Sequence, residues 1–190
     1  MTERLTAQSW LDFGLATLAH EGHEALKADA LAKKLGVSRG SFYWHFADLA
    51  EFHSQLIEHW KKATTDAVIE EIERVETAPR RLEALLLHAF PHGRSLEIRM
   101  RAWAESNPEA ACAVGEIEQR RRDYIERLIV EAGVPQPQAS VRARLLYWSY
   151  LGAAWSHSRL SSEALEPILD EMKRIALGEA SPEIQAGRSR

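Results

Sequence analysis

The sequence predicts an all-α protein, with an N-terminal three-helix helix-turn-helix domain joined by a long helix to a C-terminal helical bundle domain. Three observations carry that expectation. Apolar residues recur at steps of three and four in nearly every segment, and no stretch alternates between turn signals as a half-buried strand does. Gly22, Gly36, Gly133 and Gly178 each follow a periodic run, while Pro79 and Pro108 fall at first-turn positions, which is where helices end and begin. Residues 27–46 divide into two short apolar-patterned runs around Gly36-Val37-Ser38.

The elements follow in order. Thr6 is a good N-cap for a first helix that carries Trp10, Leu11, Leu15 and Leu18 on one face until Gly22. A second covers about 28–35 and buries Leu31 and Leu35; after the Gly-Val-Ser turn, Ser38 caps a third that runs to about Phe46. Asp48 and Glu51 form a capping-box pattern at the mouth of a run through Leu49, Phe52, Leu56, Trp60, Ala63 and Ala67 to Val75. With no glycine or proline inside, that run predicts one rod of about 28 residues, ~40 Å long. Pro79 opens a fifth helix with Leu82, Leu85, Leu86, Ala89 and Phe90, which Pro91-His92-Gly93 breaks. A sixth covers 95–105. Asn107-Pro108 opens a long one to Ala132, another covers 138–158, and the last runs from Ser161-Ser162 to Gly178. The domains expected are 4–64, 65–178 and a flexible tail at 179–190, where apolar periodicity is lost.

Residues 138–158 carry two apolar stripes. One is Val141, Leu145, Trp148, Gly152 and Trp155; the other is Ala143, Tyr147, Tyr150 and Ala154. In the last helix Leu165, Leu169, Met172 and Ala176 stand beside Ile168 and Ile175. A helix apolar on two faces needs its own core on one and a partner on the other, so these two helices are expected to form a homodimer contact.

Composition bounds the function. Apolar residues make up 45% and charged residues 27% of the chain, the balance of a globular protein. The N-terminus lacks the apolar block of a signal peptide, and the densest apolar run, 84–87, is far short of the ~18–20 residues of a membrane helix. Cys112 is the lone cysteine and fits a reducing compartment, so a cytoplasmic protein with no membrane partner is expected. The net charge is −4, and residues 1–62 hold 7 Lys/Arg against 8 Asp/Glu. Any affinity for nucleic acid must come from local geometry.

That geometry is in residues 31–46, LAKKLGVSRGSFYWHF. Leu31, Leu35, Val37 and Phe42 are spaced to pack the two short helices on the first, and Phe46 joins them. Arg39, Gly40, Ser41, Tyr43, Trp44 and His45 remain outward. Arg39 and Ser41 can hydrogen-bond base edges or phosphates, Gly40 lets the backbone come close, and Tyr43 and Trp44 can donate to phosphate while packing on sugar or a thymine methyl.

The stretch from Thr6 to about Trp60 resembles the TetR family of transcriptional regulators. The likeness centres on Gly22, Leu31-Ala32, Leu35-Gly36-Val37-Ser38 and Tyr43-Trp44-His45-Phe46. It implies a small DNA-binding head, a larger helical domain that binds a small effector, and a dimer. Two positions depart from the family's habit. Leu49 stands where a lysine is common, and Lys27 where a Ser/Thr commonly caps the second helix. A lysine cannot cap, but it can reach a phosphate, and the helix N-termini at Lys27 and Ser38 add partial positive charge. The DNA-binding set is therefore Lys27, Ser38, Arg39, Gly40, Ser41, Tyr43, Trp44 and His45.

Among the eight histidines, no pair has clean i, i+4 spacing on an uninterrupted helix with a carboxylate partner, so no metal site is expected. No glycine-rich phosphate loop or nucleophile constellation is present, and neither a catalytic site nor a cofactor is expected. Trp60, Met100, Trp103, Tyr124, Tyr147 and Trp148 lie on helices that could surround an effector cavity; packing in a core is the other reading of the same residues. The function expected is a sequence-specific DNA-binding regulator; the resemblance further implies a repressor released from a double-stranded operator by a small-molecule effector. A helical ligand- or protein-binding module with a degenerate DNA reader is the alternative, which the near-neutral head and Leu49 favour.

Overall fold

The computed structural model describes residues 5–91, 94–156 and 160–178, so the expected tail at 179–190 lies outside the described residues. Ten α-helices follow one another, with no strand among the described residues. They are α1 (Ala7–Glu21), α2 (Ala28–Leu35), α3 (Arg39–Tyr43), α4 (Leu49–Lys61), α5 (Ala67–Ile72), α6 (Ala78–Ala89), α7 (Arg94–Ala104), α8 (Pro108–Glu131), α9 (Gln136–Trp155) and α10 (Ser162–Leu177).

Local chemistry sets most of these boundaries. Thr6 closes a capping box with Ser9, and Gly22 ends α1 at φ 88°. Asp48 accepts from the Glu51 amide at 2.8 Å, while the Glu51 carboxylate reaches back to the Ala47 amide at 2.6 Å. Asn107 Oδ1 accepts from the Ala110 amide at 2.9 Å at the head of α8. Ser161 caps α10, and Gly178, left-handed at φ 75°, ends it. Arg142 Nη1 donates to the Ala176 carbonyl at 3.0 Å, placing a cation at the negative end of α10.

The chain forms two compact units: residues 1–66 with 93–117, and residues 67–92 with 118–190. This differs from a single division after residue 64. Segment 93–117 groups with the N-terminal helices because α7 lies against α1, and Met100, Trp103, Ala110 and Ile117 share one core with Trp10, Leu18, Phe42, Leu56 and Trp60. Ties within this unit reinforce the grouping: Lys61 Nζ meets Glu116 Oε2 at 2.8 Å, and Ser54 Oγ donates to Glu109 at 2.9 Å. The second unit has its own core of Leu82, Leu86, Phe90, Leu128, Ile129, Ala143, Tyr147, Leu165 and Leu169.

The rod expected from 48 to 75 is helical from Leu49 to Ile72, but a π-helical turn, Lys62–Asp66, interrupts it. Thr64 Oγ1 donates to the Trp60 carbonyl at 2.8 Å, and a hydroxyl bonding back in this way competes with the regular ladder. Such turns recur at functional sites and hinges. The carbonyls beyond α5 are met by Arg81, whose Nε donates to Val75 O at 2.7 Å and whose Nη2 donates to Glu73 O at 3.4 Å. The helix expected at 138–158 is shifted: Pro135 precedes its first turn, and it ends at Trp155.

Candidate nucleic-acid interface

The turn between α2 and α3 is built by Gly36. Its φ of 69° lets the Val37 amide reach Ala32 O at 3.0 Å and the Gly36 amide reach Lys33 O at 3.2 Å, a Schellman closure. α3 then leaves at a fixed angle, anchored by Phe42. That ring is fully buried and stands 5.4 Å from Trp10, 5.1 Å from Phe46 and 5.2 Å from Phe52, centroid to centroid. Ser38 takes the extended backbone of an N-cap, but its side chain makes no capping hydrogen bond, so α3 is held by tertiary packing rather than by the expected cap.

On this segment Phe42 is inward and most of the residues expected outward are exposed. Lys27, Ser38, Arg39, Gly40, Tyr43 and Trp44 are exposed, with Trp44 at 71%. A Cβ on Gly40 would meet only Ser38 Oγ, at 3.7 Å, so the backbone there is open to an approaching molecule. Ser41 and His45 are only half-buried. His45 also has a structural role, because its Nε2 bonds to the Leu5 carbonyl at 2.8 Å and ties α3 to the segment before α1. His45→Ala should therefore cost about 1 kcal/mol in thermal or denaturant unfolding.

Electrostatics on this face are partly internal. Lys34 is paired with Glu21, so it is not a ready phosphate contact. Lys27 and Lys33 have no partner among the described residues. Arg39 is held on two sides, by Tyr43 and by Asp29 of the first turn of α2. The Tyr43 hydrogen bond, and then the Asp29 carboxylate, hold its pKa above the ordinary arginine value. Sequence pattern missed Asp29, whose only signal was a carboxylate in the first turn of α2.

Five of the six residues considered for an effector are buried, in two separate cores. Trp60, Met100 and Trp103 are buried in the first unit's core, while Tyr124 and Tyr147 are buried in the second's. Trp148 is exposed on α9, where it lines a groove of about 270 Å³ with Ser140, Val141, Arg144 and Leu145. The six lie on apolar stripes, and helical periodicity alone does not say which core a stripe enters. The Tyr124 hydroxyl is buried beside the Glu73 carboxylate; burial first, and then that carboxylate, push its pKa far up.

Of the histidines, His59 Nε2 meets Asp12 Oδ1 at 2.7 Å, joining α4 to α1, and His53 Nε2 meets the Leu26 carbonyl at 3.0 Å, tying α4 to the segment before α2. Among the described residues, no group of three or more metal-ligating side chains converges, and no helix is long and apolar enough to cross a membrane.

A short helix pair closed by a left-handed glycine, with its second member buried on one side and polar and aromatic on the other, defines a helix-turn-helix protein. Residues 11–51 match the family described as bacterial regulatory proteins, tetR family. Over 53 residues the chain is 36% identical to the HTH-type transcriptional regulator AcrR of Shigella flexneri, a match that spans 28% of this chain and only 25% of that protein. The fold extends much further. A Saccharomonospora viridis protein solved in complex with choline superposes with a TM-score of 0.70 at 18% identity, over 90% of this chain and 92% of its own. The transcriptional regulator FadR from Bacillus subtilis, solved in complex with stearoyl-CoA, gives 0.65 at 14% identity, over 93% of this chain and 100% of its own. Residues 11–51 thus match the tetR-family model, and the chain shares the overall fold of these solved regulators.

Proposed function

We propose that this chain is a sequence-specific DNA-binding regulator of transcription that works as a homodimer, and that it represses until a small effector releases it from its operator. The observation that carries the reading is the division of α3, with Phe42 fully buried and Arg39, Gly40, Tyr43 and Trp44 turned to solvent. A core-filling aromatic cluster would not leave Trp44 exposed. Recovery of genomic fragments bound by the protein, followed by gel shift at low and moderate salt, tests it. Binding no tighter to recovered fragments than to scrambled ones would favour the degenerate reader instead.

The dimer rests on α9 and α10. Val141, Leu145, Trp148 and Trp155 on the first, and Ile168 and Ile175 on the second, are exposed, while Ala143, Tyr147, Leu165, Leu169 and Ala176 are buried within the unit. The outward stripes are what a second copy would cover. The effector is expected to be largely apolar and to bind among the helices of the second unit. FadR was solved with stearoyl-CoA and the S. viridis protein with choline, so ligands of very different size are held on this fold.

Phosphate contacts are few, so salt dependence is diagnostic. Each protomer offers Lys27, with Lys33 nearby. Lys27→Ala should flatten the log–log salt slope by about 0.9 per protomer, roughly two units for the dimer. An unchanged slope would remove Lys27 from the interface.

A further inference from the structure

Arg39 is not a free surface arginine. Its Nε lies 3.2 Å from Asp29 Oδ1, its Nη2 donates to the Tyr43 hydroxyl at 3.1 Å, and its Cζ stands 5.2 Å from the Tyr43 ring centroid. A long side chain that samples many rotamers is thus fixed by contacts from two helices, one residue in α2 and one a turn further along α3. A guanidinium has five N–H donors in a planar fork. One is donated, from Nη2 to Tyr43, Nε is ion-paired with Asp29, and Nη1 has no partner among the described residues. What remains is the end of the fork at Nη1, on a side chain that is 61% exposed.

We propose that Asp29 and Tyr43 are positioning residues that set Arg39 to read the major-groove edge of a guanine in each half-site, an inference that rests on the DNA-binding reading above. Two acceptors could take the free end of the fork, a backbone phosphate or the O6/N7 pair of guanine. Asp29 decides between them. A phosphate bound to this guanidinium would come close to a like-charged carboxylate, whereas the guanine edge is uncharged. Adenine places an amino donor where guanine has O6, so it would face the arginine with the wrong sign. The carboxylate therefore does two things. It holds the arginine in place before DNA arrives, which lowers the ordering cost of binding. It also repels phosphate, which weakens attachment to non-cognate DNA.

The test is selection from a randomised duplex library by the full-length protein and its variants, followed by affinity measurements on the selected and a scrambled duplex. Wild type should enrich a guanine at two symmetry-related positions. Arg39→Ala should lose that preference, worth roughly 5- to 150-fold against the other bases. Asp29→Asn should weaken the guanine preference several-fold while binding the scrambled duplex more tightly, and Asp29→Glu, which keeps the charge, should retain the preference. A merely structural role for Asp29 would lower affinity for all sequences together with the melting temperature, leave the base preference intact, and overturn the proposal. So would an Asp29→Asn variant selecting the wild-type sequence at wild-type frequency. Wild-type protein that retains no duplex even at low salt would overturn the DNA-binding reading and this inference with it.

Discussion

Phe42→Ala will remove much of the first unit's margin of stability, by about 3–5 kcal/mol, and abolish DNA binding at temperatures where the wild type is intact. The ring has no solvent exposure and packs near aromatic rings from α1, from the link after α3 and from α4. Removing it opens a cavity that rigid neighbours cannot close, because Trp10, Phe46 and Phe52 are themselves fully packed. Two effects then add: lost burial and lost van der Waals contact across the void. Since α3 lacks a side-chain cap and is only five residues long, nothing local can hold it once the anchor is gone. Tyr43→Ala makes the control, since that ring is 42% exposed. It should weaken DNA binding with a far smaller change in denaturation midpoint. A Phe42→Ala protein as stable as wild type would show that Phe42 does not anchor the inward face.

What was legible in the sequence had local causes. Thr6, Asp48, Asn107 and Ser161 cap helices by reaching amides three residues away, and Gly22, Gly36 and Gly178 sit at positive φ at helix ends. The two stripes of α9 could be separated because a period of 3.6 keeps them apart along twenty residues. What was hidden depends on partners distant in sequence. Nothing in the periodicity of α7 says that Met100 and Trp103 will share a core with Trp10. Gly14 reads as an ordinary helical residue, yet a Cβ there would come within 2.9 Å of both Leu56 Cδ1 and Phe52 Cζ, so it sets how closely α1 and α4 approach. The π-helical turn has no glycine or proline to announce it. Likewise Arg39 reads as an available cation, and only the fold shows Asp29 holding it.

Gly152→Arg should split the dimer while leaving each protomer folded. Gly152 is exposed on α9 between Trp148 and Trp155, and a Cβ there meets no atom within 4 Å in the protomer, so the substitution does not clash with its own core. In a two-fold interface the same residue occurs on both chains, so each substitution brings two guanidinium groups into an apolar seam. A charge taken from water without a partner is costly, and two like charges near the axis repel as well. Helix content measured by circular dichroism should match the wild type, while sedimentation at micromolar concentration should show monomer in place of dimer. Operator binding should fall by about 10²–10⁴-fold, because a second reading head held near its half-site acts at high effective concentration and a lone head does not. The loss should be largest on a duplex with two symmetric half-sites and nearly absent on one half-site alone. A Gly152→Arg protein still dimeric at micromolar concentration would move the interface off this stripe. Tight operator binding by a wild-type monomer would remove the paired-head architecture altogether.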